Sequence, residues 1–284
     1  MITGAGRGIG RSVAIAYAKE GANVGLTSRT LDQLNEVKAE IEKLGNGVKV
    51  SVKAADITKY EEVEAAFKQF GEELGKLNGV VANAGTTWKA PTHELDPEKF
   101  AFTINVNLLG VFHTFRAAYP FLDMEDKKDP ARFLITGSET YPNLPMPMQV
   151  AYTASKFGVV GLMNAMSMEY GGKPITFNTI LPSMTDTKLL RGRKAGDGNK
   201  PPNVLNPWDL DDYYIFFMTK DARRLSDQLA VVLDFEVLKK IIAEAPAEKK
   251  VDWDTFKVYL EEKDASLNAR IKKLKKLAQF LLSR

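Results

Sequence analysis

The chain of 284 residues contains no cysteine. Disulfides, thiolate metal ligands and cysteine nucleophiles are thereby excluded. It has two histidines, His93 and His113. An all-protein zinc site would need several carboxylates besides, and no metal site is predicted. No apolar run approaches the ~20 residues that span a bilayer. No basic-then-apolar leader ending in small residues is visible, so secretion is not expected and a cytoplasmic location is. The net charge of +3 is too small to point to nucleic acid as a partner. Apolar residues make up 44 % of the chain, enough for the core of one large α/β domain with or without an appendage.

Up to about residue 235 the chain alternates short Val/Ile-rich stretches with longer amphipathic ones. The predicted strands are Asn23–Thr27, Val48–Ala54, Gly79–Asn83, Arg132–Thr136, Thr176–Leu181 and Gln228–Leu233. Their weak alternation suits strands covered on both faces. Leu31, Leu34, Val37, Ile41 and Leu44 recur at helical spacing, as do Val63, Ala66, Phe67 and Phe70. Strand–helix–strand alternation of this length predicts a parallel sheet with right-handed crossovers. Arg191–Pro207, rich in Gly, Pro, Asn and charge, reads as a mobile loop.

The opening MITGAGRGIG places Gly4, Gly8 and Gly10 at G-x-x-x-G-x-G spacing, with Gly6 in addition. Glycine permits positive φ and close backbone approach. The Ala-rich Arg11–Lys19 reads as a helix, whose N-terminus would offer N–H groups to a pyrophosphate. The G-x-G-x-x-G fingerprint fails at Ile9, and the P-loop pattern fails at Ala5. The second strand ends LTSRT, without the carboxylate that would bind the 2′-hydroxyl of NAD. Ser28, Arg29 and Arg7 stand there instead, and a guanidinium can grip a 2′-phosphate. NADP(H) is therefore the predicted cofactor. Only Met1 and Ile2 provide apolar strand ahead of the turn. A truncated first strand is expected, with the true start of the protein upstream.

Tyr152 and Lys156 are spaced to share a helix face. A fixed cation beside a phenol favours the phenolate and makes general acid–base work feasible near neutrality. The whole set resembles the short-chain dehydrogenase/reductase family. The resemblance rests on Thr3-Gly4-x-x-x-Gly8-Ile9-Gly10, Asp56, Asn83-Ala84-Gly85, Asn107, Ser138 and Tyr152-x-x-x-Lys156, in order over about residues 1–233.

That resemblance implies a Rossmann-type doubly wound sheet with helices on both faces, over residues 1–235. A C-terminal helical extension, 236–284, follows it. It implies an NADP(H)-dependent oxidoreductase interconverting a carbonyl and an alcohol. Tyr152 would be the general acid or base, and Lys156 would lower its pKa and bind the nicotinamide ribose. Ser138 would hydrogen-bond the substrate oxygen, and Asn107 would hold a water relaying protons to Lys156. Asp56 and Ile57 would contact the adenine. Asn83, Ala84 and Gly85 would support the cofactor, with Pro182 and Thr187 near the nicotinamide. A homodimer or homotetramer acting on a small molecule is expected. The alternatives are a non-catalytic NADP-binding scaffold of the same fold and a sugar-nucleotide epimerase.

Departures from the family pattern are Pro182-Ser183 where Pro-Gly is usual, and the absence of glycines after the last strand. A Cβ at 183 would be strained if that turn required positive φ. His113 reads as a packed or capping residue, and His93 as a loop residue without an identified partner. The stretch YPNLPMPMQV (141–150) is expected to wall the substrate site. Near the end, Leu267, Ile271, Leu274, Ala278 and Leu281 form a stripe, with Lys272, Lys273, Lys275 and Lys276 outside it. Docking on the chain's own domain or on another subunit is expected, although such a basic helix would also suit an anionic membrane. Covering a sheet-edge surface in this way would favour a dimer over a tetramer.

Overall fold

The strand Ala131–Thr136 is buried along its whole length, and its side chains divide between two cores. Phe133 and Ile135 join one hydrophobic cluster and Leu134 the other, as the two-residue period of a strand requires. The computed structural model describes the whole chain except residues 142–144, 193–194, 251–252, 266–274 and 284.

The strands are β1 (Ile2–Thr3), β2 (Val24–Ser28), β3 (Val50–Ala54), β4 (Gly79–Ala82), β5 (Ala131–Thr136), β6 (Ile175–Leu181) and β7 (Gln228–Val231). They form one parallel sheet in the order β3-β2-β1-β4-β5-β6-β7. The helices are α1 (Gly8–Lys19), α2 (Leu31–Glu42), α3 (Tyr60–Leu74), α4 (Pro97–Ile104), α5 (Gly110–Ala118), α6 (Val150–Glu169), α7 (Lys188–Arg191), α8 (Asp211–Met218), α9 (Val232–Glu244), α10 (Trp253–Lys263) and α11 (Lys275–Ser283). A π-helical stretch, Asn105–Leu109, joins α4 to α5. Helices α1, α2 and α8 cover one face of the sheet, and α3, α5 and α6 the other. The doubly wound α/β fold expected from the sequence is the fold observed.

β1 has two residues and is nonetheless central, with Ile2 in register with Leu26 on one side and Val81 on the other. Predicted and observed strand ends differ by a residue or two, with one informative case. The VVLDF run read as strand to Leu233, but β7 ends at Val231 and α9 begins at Val232. Its partner β6 ends at Leu181, before Pro182, so nothing is left for β7 to pair with. Asp234 in the first turn of α9 suits the positive helix end. On α2, Leu34, Val37 and Ile41 are buried as predicted, whereas Leu31 is exposed and Leu44 lies beyond the helix end, also exposed.

The helices after residue 235 share the core of α1 and α8. Leu238, Trp253, Phe256, Leu260 and Leu281 belong to the cluster that includes Ile2, Val13 and Phe216. Phe280 packs 5.3 Å from the Phe216 ring, and the Tyr213 hydroxyl donates to Glu236 at 2.7 Å. Of the predicted stripe, Leu267, Ile271 and Leu274 lie outside the described residues, as do Lys272, Lys273 and the side chain of Ala278. Among the described residues, no helix is long and apolar enough to cross a membrane.

Candidate functional site

The strand order reverses between β1 and β4, and in sheets of this kind the crevice beyond the C-terminal strand ends at that point binds ligands. A cavity of ≈ 300 Å³ lies there. Its floor is the glycine turn between β1 and α1. Gly4 and Gly8 have φ of +66° and +56°, the left-handed region that favours glycine. A Cβ on Gly10 would stand 2.4 Å from the Gly4 carbonyl oxygen, so no other residue fits where the helix meets the turn. Helix α1 has no side-chain cap and no acidic residue in its first turn. Its free N–H groups and positive end are thus left to a ligand, which fits the pyrophosphate of a dinucleotide.

Arg7, Ser28 and Arg29 border one end of the cavity, with Asp56 and Ile57 beside them. Neither guanidinium makes a hydrogen bond or close ion pair among the described residues. Burial alone would raise the Asp56 pKa, but hydrogen bonds from the Thr58 N–H and hydroxyl, with the nearby Arg29 charge, hold it below the usual value. His113 is buried and sits 2.9 Å from the Ile57 carbonyl, behind the cavity wall. His93 is exposed, 3.3 Å from Glu94.

At the other end are Ser138, Tyr152 and Lys156. Helix α6 carries Tyr152 and Lys156 one turn apart, and the Lys156 ammonium lies 5.5 Å from the Tyr152 ring centre. Lys156 Nζ donates to the Thr136 carbonyl at 2.8 Å, at the end of β5. Burial lowers the Lys156 pKa to about 8. Burial raises that of Tyr152, with an interaction from Ser138 pulling it partly back. The phenol pKa thus stands above its usual value and not below it as expected, because desolvation outweighs the Ser138 hydrogen bond. Thr140 N–H donates to Ser138 Oγ at 3.3 Å.

Every residue predicted to touch the cofactor lines this cavity except Gly10, and every predicted catalytic residue except Asn107. Asn107 sits in the π-helical stretch with its amide fully engaged. Its Oδ1 accepts from Thr86 N–H at 2.8 Å, and its Nδ2 donates to the Thr86 carbonyl and to Ser155 Oγ. A water relay would have to use its main chain. Ser183 adopts no positive φ, so the substitution for the usual glycine strains nothing.

A family model described as short chain dehydrogenase matches residues 1–197. The chain belongs to the short-chain dehydrogenase/reductase family. It is similar to 3-dehydrosphinganine reductase TSC10B of Arabidopsis thaliana, 32 % identical over 187 residues, which are 66 % of this chain and 55 % of that protein. The chain thus spans about half the length of that relative. D-beta-hydroxybutyrate dehydrogenase of Cupriavidus necator is 31 % identical over 191 residues, 67 % of this chain and 72 % of that one. Among solved structures, an alcohol dehydrogenase from the archaeon Thermococcus sibiricus, complexed with 5-hydroxy-NADP, aligns with a TM-score of 0.72. It is 29 % identical and the match covers 81 % of this chain and 94 % of that one.

The sequence did not point to the hydrogen-bond chain that supports the cleft floor. Tyr214 and Thr136 hydroxyls lie 2.7 Å apart. Thr136 donates to Asn83 Oδ1 at 3.2 Å, and Asn83 Nδ2 donates to the Thr3 carbonyl at 3.0 Å. Because the Thr136 proton is spent on Asn83, the Tyr214 hydroxyl is the donor to Thr136. The chain links α8 to the ends of β5, β4 and β1. Tyr214→Phe is expected to lower folding stability by about 1 kcal/mol, the usual worth of one such bond. An unchanged midpoint in urea unfolding would show that the Tyr214 hydroxyl adds nothing.

Proposed function

We propose that the chain is an NADP(H)-dependent oxidoreductase that interconverts a carbonyl and an alcohol. The observation that carries the reading is the meeting of Ser138, Tyr152 and Lys156 in the same cavity as the uncapped N-terminus of α1. Bound NADP(H) supplies or accepts the hydride. Gly4, Gly8 and the start of α1 would hold the pyrophosphate, and Asp56 and Ile57 would contact the adenine. Tyr152 gives its phenolic proton to the carbonyl oxygen in reduction and takes it back in oxidation. Ser138 Oγ accepts from Thr140 N–H and shares a second hydrogen bond with the Thr140 hydroxyl; turned into the cavity, its own proton holds that oxygen in line. Lys156, still largely protonated at neutral pH with a pKa of about 8, compensates charge developing on the phenol. Asn107 ties the loop after β4 to α6 and so fixes the distance between cofactor floor and Tyr152.

The preference for NADP(H) is supported by the uncommitted Arg7 and Arg29 and by the lack of a carboxylate at the end of β2. Wild type is expected to bind NADPH at least about tenfold more tightly than NADH, as a charge-assisted bond to the 2′-phosphate would give. Arg7→Ala with Arg29→Ala should erase that difference without weakening NADH binding. Equal affinities in the wild type, read by NADPH and NADH fluorescence titration, would refute the preference. NADPH oxidation across a panel of ketones tests the reaction itself. Dinucleotide binding with no turnover would favour the scaffold alternative.

A further inference from the structure

The wall opposite the cofactor floor holds a polar group that the proposed reaction does not use. Gln149 is 7 % exposed and lines the cavity. It stands directly before α6, three residues ahead of Tyr152. Its Oε1 accepts from the Thr87 hydroxyl at 3.1 Å. Its Nε2 makes no hydrogen bond among the described residues and is left to donate into the cavity.

The backbone is bent to put it there. Met148 has φ of +63°, a conformation uncommon outside glycine. The Met148 carbonyl is pinned by Ala90 N–H at 2.9 Å, so the loop after β4 fixes both the turn and the amide. Met146, whose carbonyl accepts from Gln149 N–H, lines the cavity, as do Met184, Leu189 and Leu190 together with polar groups such as Thr86 and Thr140. A donor held in place in a cavity that also presents apolar side chains matches a ligand with an acceptor oxygen and an apolar body.

We propose that Gln149 is a specificity-determining residue whose amide N–H binds a second acceptor oxygen of the substrate, separate from the reacting carbonyl. The preferred substrate is then a ketone that carries such an oxygen beside an apolar chain. This rests on the carbonyl oxidoreductase reading and adds a substrate class to it.

Ethyl 3-oxohexanoate and 4-nonanone have chains of equal length with the ketone at the same place, and only the first carries the second acceptor. The ester also activates its ketone, so the readout is how the ratio of their kcat/KM values changes between variants. Gln149→Met should lower the ratio about tenfold or more, since a site built to bind an oxygen loses that discrimination with its donor. Thr87→Val, which leaves the amide present but unheld, should move it in the same direction and serves if the first variant does not fold. NADPH fluorescence verifies that each variant keeps the cleft. Where turnover is too slow to measure, thermal shifts of the NADP⁺-loaded protein with the two ketones give the same comparison. A ratio unchanged in the folded variants overturns the assignment of Gln149 and leaves the oxidoreductase reading standing. A wild type that binds neither NADPH nor NADH overturns that reading and this proposal with it.

Discussion

Tyr152→Phe is expected to lower kcat/KM for carbonyl reduction by about 10²–10⁴-fold, the range a positioned general acid contributes. The loss should fall on kcat, because the phenol proton is needed only as charge builds on the carbonyl oxygen. The ring itself stays, so packing on α6 survives and NADPH affinity should hold within about threefold of wild type. Among the described residues, the two other reactive side chains are engaged with partners of their own. Ser138 is an alcohol that accepts from Thr140, and Lys156 is turned to the Thr136 carbonyl. Wild-type turnover in Tyr152→Phe, measured by NADPH oxidation, would remove Tyr152 from the chemistry.

Lys156→Met is expected to separate stability from activity. Burial lowers the Lys156 pKa from 10.5 to about 8 in the folded protein. The unfolded chain therefore binds the proton more tightly between those pH values, and stability rises with pH across that window. Below pH 8 the folded protein carries the full cost of the buried cation, on the order of 3 kcal/mol for a shift of this size. Methionine keeps the apolar stem and removes the charge, but gives up the hydrogen bond to Thr136, worth about 1 kcal/mol. The variant without cofactor should thus be more stable than wild type by about 1–2 kcal/mol at pH 7, with the gain fading as pH rises above about 8 and gone near pH 10. Turnover should fall by about 10²-fold or more, since the phenol loses its compensating cation. A variant less stable than wild type at pH 7, in urea unfolding at several pH values, would contradict this account.

What the sequence made legible was short in range. The glycine turn, the Tyr152–Lys156 pair and the bare strand end at Ser28–Arg29 each span a few residues, and local geometry dictates where their groups go. The periodicities named the faces of α2 and α3 because burial there follows helical spacing. Positions decided by distant partners were not legible. The end of β7 is set by where β6 stops, about fifty residues earlier in register. Gln149 closes the 141–150 stretch that was read as a substrate wall, but its aim depends on Thr87 and Ala90, loop residues some sixty positions away. Tyr214 is one aromatic among several in DDYYIFFM, and only its meeting with Thr136 singles it out. For Tyr152 too, sequence shows the neighbouring charge but not the depth of burial that raises its pKa.

The cluster that contains Ile2 and Val13 also contains Leu281. A single continuous core therefore draws on both extremes of the described chain. The cluster is thus completed only when helices near the other end of the described chain join α1. The cofactor cleft is floored by that same helix. Bringing such distant segments together costs loop-closure entropy before their burial rewards it, so the support beneath the cleft is expected to form late in folding.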